Sequence, residues 1–142
     1  MKRYIKSDST ISDTDMFSGD SEVRRRYADR TNDPNILLIY AYDPDRHVRD
    51  FAASNPNTPL EAILDLAEDP DWRVRDGVAM NANTPAEILE KLSSESNWSI
   101  REHVASNPST PTDVLLKLVD DPVSMVSNAA KLEISSRKYR NK

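Results

Sequence analysis

The side chains most able to do chemistry here are two histidines, His47 and His103, two tryptophans, Trp72 and Trp98, and the charged residues around them. The densest stretch is Asp69-Pro70-Asp71-Trp72-Arg73-Val74-Arg75-Asp76, where Trp72, Arg75 and Asp76 could gather around a ligand by stacking and ion pairing. A Ser-His-Asp set would need residues from different segments brought together by the fold, and His103 reads as a partly exposed side chain at a variable position. Asp13-Thr14-Asp15 starts like a calcium loop but reaches Phe17 and Ser18 where a ligand and a glycine are required, so that reading is rejected. The chain has no cysteine, which removes disulfides, thiolate nucleophiles and thiolate-held zinc or iron-sulfur centres. Neither a metal nor a cofactor is expected, and the chain is read as not an enzyme.

Composition narrows the class. Only 2 glycines and 37% hydrophobic residues in 142 suit one helical domain. The longest apolar run, Ile36 to Tyr42, is far short of a membrane span, and the basic start Met1-Lys2-Arg3 is followed by no apolar segment, so the expected location is the cytoplasm. Residues 31–134 hold 8 Lys/Arg against 18 Asp/Glu, whereas 135–142 hold 4 against none. An acidic body repels phosphate backbones, so nucleic acid is not expected to bind along it. The triplet Arg24-Arg25-Arg26 reads as a solvated helix face, with Tyr27 leaving room for an anion contact.

The candidate residues must be placed by a repeat. A shift of 26 aligns 43–68 with 69–94, identical at 13 of 26 positions, and 95–120 follows in register. A fourth copy begins at 121 and loses its asparagine-proline turn, and a degenerate copy covers 22–42. Three full units between imperfect ends are what a solenoid needs. The domain is therefore set at 22–134, with 121–134 as its C-terminal cap. An arm, 1–21, precedes it, either extended through the Ser/Thr/Asp-rich 7–15 or folded back as a cap through Tyr4, Ile5, Met16 and Phe17. A basic tail, 135–142, follows.

Each unit reads as two short helices. Asp43, Asp69 and Asp121, each before a proline, are the expected caps of the first helix, with Ser96 substituting in the third unit; Thr58, Thr84 and Thr110 are the expected caps of the second. Val48, Val74, Ile100 and Val126, with Ala52, Val78, Val104 and Ala130 four residues later, make the buried stripe of helix one. Ile63, Leu66 and their equivalents do the same for helix two. Asn55, Asn81 and Asn107 follow helix one, where Asn tolerates the left-handed conformation and can bond nearby backbone. No unit can bury its stripe alone, so the units must stack into an all-α solenoid.

"VRDGVAMNANTPAEILEKL" and its sister segments resemble the leucine-rich repeat variant (LRV) family, whose units follow a Val-Arg, Val-Ala, Asn-Pro-x-Thr-Pro, Leu-x-x-Leu-Ala, Asp-Pro pattern. The resemblance covers about 43–126 and extends weakly to about 22. It implies a right-handed superhelix of alternating α and 3₁₀ helices without sheet, so one helix of each pair is expected to be short or 3₁₀. Some relatives carry a cysteine-rich iron-sulfur module, which this chain cannot. The resemblance supplies no catalytic residues.

On this scaffold Arg49, Arg75 and Arg101, with Asp50, Asp76 and Glu102, read as structure, since an Arg one unit from an acidic cap is well placed to pair with it. Trp72 and Trp98 share a column with Arg46 and Ser124, pointing away from the stripe that holds Val74 and Ile100. Arg73 and His47 occupy the next column. Trp72, Trp98, Arg46, Arg73 and His47 form the candidate surface, and the expected function is a scaffold that binds another protein. Two other readings are weighed: a small acidic inhibitor or decoy in the basic nucleic-acid channel of a partner enzyme, and a nucleic-acid enzyme or binder, which the acidic body disfavours.

Overall fold

The computed structural model describes residues 15–142, so the readings placed on 1–14, including Tyr4, Ile5, most of the polar arm and Asp13-Thr14, lie outside the described residues. The described chain has nine α-helices and no strand. The first helices of successive units are α1 (Ser21–Arg30), α3 (Arg46–Ser54), α5 (Trp72–Met80), α7 (Trp98–Ser106) and α9 (Ser124–Arg140). The second helices are α2 (Pro34–Tyr40), α4 (Leu60–Leu66), α6 (Ala86–Leu92) and α8 (Thr112–Leu118). From α3 to α8, the helical alternation takes the form of nine- and seven-residue α-helices, rather than α and 3₁₀.

The first helices pack directly on one another from α1 to α9, while successive second helices touch little. Val48, Val74, Ile100 and Val126 are fully buried, as are Ala52, Val78, Val104 and Ala130, which is the stripe expected for helix one. Ile63, Leu89 and Leu115 seal the second helices against it. Each such side chain contributes about 1.5–3 kcal/mol by leaving water. Gly77 permits the closest approach: a Cβ there would lie 2.9 Å from the Asp50 carbonyl oxygen and 3.0 Å from Ala53 Cβ.

The capping devices differ from expectation in an instructive way. Asp45, Asp71 and Asn97 cap the first helices, each accepting the N–H two residues on at 2.8–2.9 Å. Asp43 and Asp69 instead fold the preceding proline turn, accepting the N–H of Asp45 and Asp71 at 2.9 Å, and Asp121 does the same for Val123. Ser96 is not the cap of α7. Thr58, Thr84 and Thr110 are not caps either, because α4, α6 and α8 start after Pro59, Pro85 and Pro111 without a side-chain cap. Their buried hydroxyls donate to the carbonyls of Ala52, Val78 and Val104 at 2.5–2.7 Å, adding a second donor to acceptors that also take the N–H of Asn55, Asn81 and Asn107 where the first helix ends.

Two ladders tie unit to unit. Arg24, Arg49, Arg75 and Arg101 make two-pronged pairs with Asp43, Asp69, Glu95 and Asp121 of the next unit, with Nε–O distances of 2.6–2.8 Å. Asn55, Asn81 and Asn107 adopt extended backbone, φ −73 to −76°, rather than the left-handed conformation. Their Nδ2 groups reach back to the preceding unit: Asn81 donates to the carbonyls of Ala53 and Asn55, both at 2.9 Å, and Asn107 donates to those of Ala79 and Asn81 at 2.8 and 2.9 Å.

The ends break the pattern. At positions 127 and 133 the ladder Arg and Asn are replaced by Ser and Glu, and α9 runs straight on through 134 to Arg140 instead of turning. At the other end a 3₁₀ turn, Asp15–Phe17, precedes α1. Met16 packs against the N-terminal core and its carbonyl accepts from Tyr40 Oη at 2.7 Å, while Phe17 is exposed.

Candidate interaction surface

The pitch of the repeat sets the candidate side chains along one edge of the first-helix layer. Arg46, Trp72 and Trp98 are the first residues of α3, α5 and α7, which leaves them at the open helix ends beside the capping residues. Trp72 and Trp98 are 36% and 44% exposed, substantial for an indole and enough to offer ring area to a partner.

Asp71 gathers two of the candidates, Arg46 and Arg73. Its carboxylate caps α5 and takes Arg46 Nη1 of the preceding unit at 3.1 Å, with Arg73 Nη1 3.8 Å away. The Arg73 guanidinium lies over the Trp72 ring, 4.7 Å from its centroid. The hydrogen bond from the Arg73 N–H, followed by the neighbouring guanidinium of Arg46, holds the Asp71 carboxyl below the usual carboxylate range. Trp98 heads the next helix with Ser99 where α5 has Arg73, and among the described residues the two indoles do not stack on each other. His47 is exposed on α3 and acts electrostatically on Asp45 and Asp50.

Beside this edge runs a column of acids that sequence reasoning joined to the arginine ladder. The two are separate: the arginines pair with Asp43, Asp69, Glu95 and Asp121 at the start of the next unit, leaving Asp50, Asp76 and Glu102 on their own column. Asp76 Oδ1 lies 2.7 Å from His103 Nδ1, Asp76 Oδ2 accepts from Ser99 Oγ at 3.4 Å, and Glu102 Oε2 is 3.6 Å from His103 Nε2. Serine, histidine and aspartate thus meet, but Ser99 donates to the aspartate and not to the imidazole, so no activated nucleophile results. The signal that was available is the offset: His103 stands 27 residues beyond Asp76, close to the one-unit stride that sets neighbouring helices side by side. Among the described residues no group of histidines and acids is arranged to hold a metal ion.

The column is pH-sensitive. Burial, reinforced by the negative charge of Asp76, pushes Asp50 up to about 6, and the hydrogen bond that the His103 ring donates to Asp76 raises His103 against the opposing effect of its burial. Both shifts act in one direction. A carboxylic acid with a raised folded value contributes stability below its unfolded value that is lost as pH climbs from about 4 through about 6. The His103 contribution is complete below the ordinary imidazole range and lost as pH rises through its raised value. Asp50→Asn is expected to leave stability unchanged near pH 4 and to raise it at pH 7. The full equivalent of the Asp50 shift is roughly 3 kcal/mol, which solvent screening at this half-buried group reduces to about 1–2 kcal/mol. Denaturant melts of both proteins at the two pH values check this, and equal gains at both would contradict it.

Comparison with known proteins agrees with the repeat. The leucine rich repeat variant family matches residues 46–71 and 98–123, two spans whose starts are 52 residues, or two units, apart. Both begin at the first residue of a first helix. The unit between them has the same helices but carries Ala82 where its sisters have proline, and Glu95-Ser96 where they have Asp-Pro. No curated protein matches the chain. Among the described residues no helix is long and apolar enough to cross a membrane.

Proposed function

We propose that this chain, whose units at 46–71 and 98–123 are leucine rich repeat variant repeats, is a non-enzymatic scaffold that binds another protein along the edge formed by Arg46, His47, Trp72, Arg73 and Trp98. Units of this family are helical repeats, a type often used in protein interaction. The observation that carries the reading is the exposed Trp72 ring with the Arg73 guanidinium already over it, 3.8 Å from the Asp71 carboxylate. Tryptophan and arginine dominate interface energetics, and a pair ordered before binding loses less entropy when a partner arrives. The acidic body directs the edge toward protein rather than nucleic acid.

The test is affinity capture with the wild-type chain and with the Trp72→Ala, Trp98→Ala double variant, followed by titration of the recovered partner. Truncating a central tryptophan removes about 2 kcal/mol or more, roughly thirtyfold in Kd. Unchanged recovery by a variant with an intact helical spectrum would overturn the reading. Recovery of basic nucleic-acid enzymes with strongly salt-dependent affinity would favour the acidic-inhibitor reading instead.

A further inference from the structure

Two exposed apolar faces are covered by no described element. The first is on α9. Met125, Asn128, Leu132, Ser135 and Tyr139 follow a three-four spacing on its outer side, and Met125, Leu132 and Tyr139 are 56%, 72% and 79% exposed. Lys131 and Lys138 flank this stripe and make no ion pair among the described residues. The second is on the outer side of α2 and α4, where Ile39, Tyr42, Leu60 and Leu64 are all exposed. Glu61 and Asp65 rim it, with Tyr42 hydrogen-bonded to Asp65.

The two faces are complementary in charge. Residues 124–142 hold 5 Lys/Arg against 1 Glu, whereas 31–123 hold 7 against 17 Asp/Glu. Ile39 and Tyr42 come from α2 and the turn after it and Leu60 and Leu64 from α4, so the acidic-rimmed face spans two consecutive units. Pairing α9 with another α9 offers no such match in charge.

We propose that the occupant of the α9 stripe is a second copy of this chain, received on its α2–α4 outer face with Lys131 and Lys138 against Glu61 and Asp65. Two such contacts about a two-fold axis close a dimer, and a single one leaves a free face at each end.

Sedimentation velocity over a concentration series tests this with three full-length proteins: wild type, Leu132→Glu/Tyr139→Glu and Leu60→Lys/Leu64→Lys. Wild type is expected to self-associate, less so at high salt, and each variant to weaken self-association by about tenfold or more. An equimolar mixture of the two variants is expected to form a one-to-one complex, because each retains the face that the other lacks. Lys131→Glu/Lys138→Glu, which leaves the apolar stripe intact, should weaken self-association as well. A wild type that stays monomeric throughout would overturn the proposal. So would a Leu60→Lys/Leu64→Lys protein that self-associates like wild type, or a mixture of folded variants that fails to pair.

Discussion

Asn81→Ala is expected to destabilise the protein by about 3–4 kcal/mol and to broaden or split its unfolding transition. The side chain is 1% exposed and makes three hydrogen bonds: its amide donates to the carbonyls of Ala53 and Asn55, and its Oδ1 accepts the Asn83 N–H at 2.9 Å. Alanine takes a donor from two buried carbonyls, of which that of Asn55 keeps the Thr58 N–H, and takes the acceptor of the part-buried Asn83 N–H, at about 1–3 kcal/mol for each bond that nothing replaces. A solenoid unfolds through nearest-neighbour couplings, and this residue is a principal coupling between the units on its two sides. Calorimetry and hydrogen exchange check the result: protection should fall first in α3 to α6. A single transition shifted by under about 1 kcal/mol would show that the asparagine ladder is incidental.

Arg101→Ala ranks beside it, at about 3–5 kcal/mol. The guanidinium grips Asp121 through Nε and Nη2 at 2.8 and 3.1 Å, while Nη1 donates to the carbonyls of Glu95 and Ser96 at 2.8 and 3.0 Å. It thereby closes the turn that starts its own unit and holds the turn that starts the next. Removing it strands a carboxylate whose side chain is 6% exposed. The hydrogen bond from Arg101 holds Asp121 below the usual carboxylate range, so this pair adds stability above the unfolded value that is lost as pH falls through the depressed one. The deficit of the variant should therefore be largest near neutrality and shrink in acid. A deficit independent of pH would assign the effect to the backbone bonds alone.

The architecture was legible because it is written in apolar residues at a fixed stride. Val48, Val74, Ile100 and Val126 needed no knowledge of distance to be placed in a core, and the arginines were correctly expected to pair one unit away. The polar details were less legible, because a hydrogen bond depends on which of several adjacent oxygens arrives at the donor. Asp43 and Asp45 are two residues apart, and local pattern favours the one before proline as the cap; the nearby Arg24 holds Asp43 in the turn and leaves Asp45 to cap α3. The threonines before Pro59, Pro85 and Pro111 carried a strong capping signal, but their hydroxyls turn to a carbonyl six residues back at the end of the first helix. At the candidate edge the sequence located the tryptophans but not the stacking of Arg73, which depends on where Asp71 directs its charge.

The ladders also bear on how such a chain changes length. Each unit presents its successor with the same socket, namely two carbonyls for an asparagine amide and an arginine for a carboxylate. With 69–94 excised, Arg49 would meet Glu95 as it now meets Asp69, and Asn107 would meet the carbonyls that Asn81 now takes. The seam would fail at one point. His103 would then sit where Gly77 does, against the Asp50 carbonyl that leaves no room for a Cβ. The rod is built of exchangeable parts, and a single glycine is what makes one of them belong where it is.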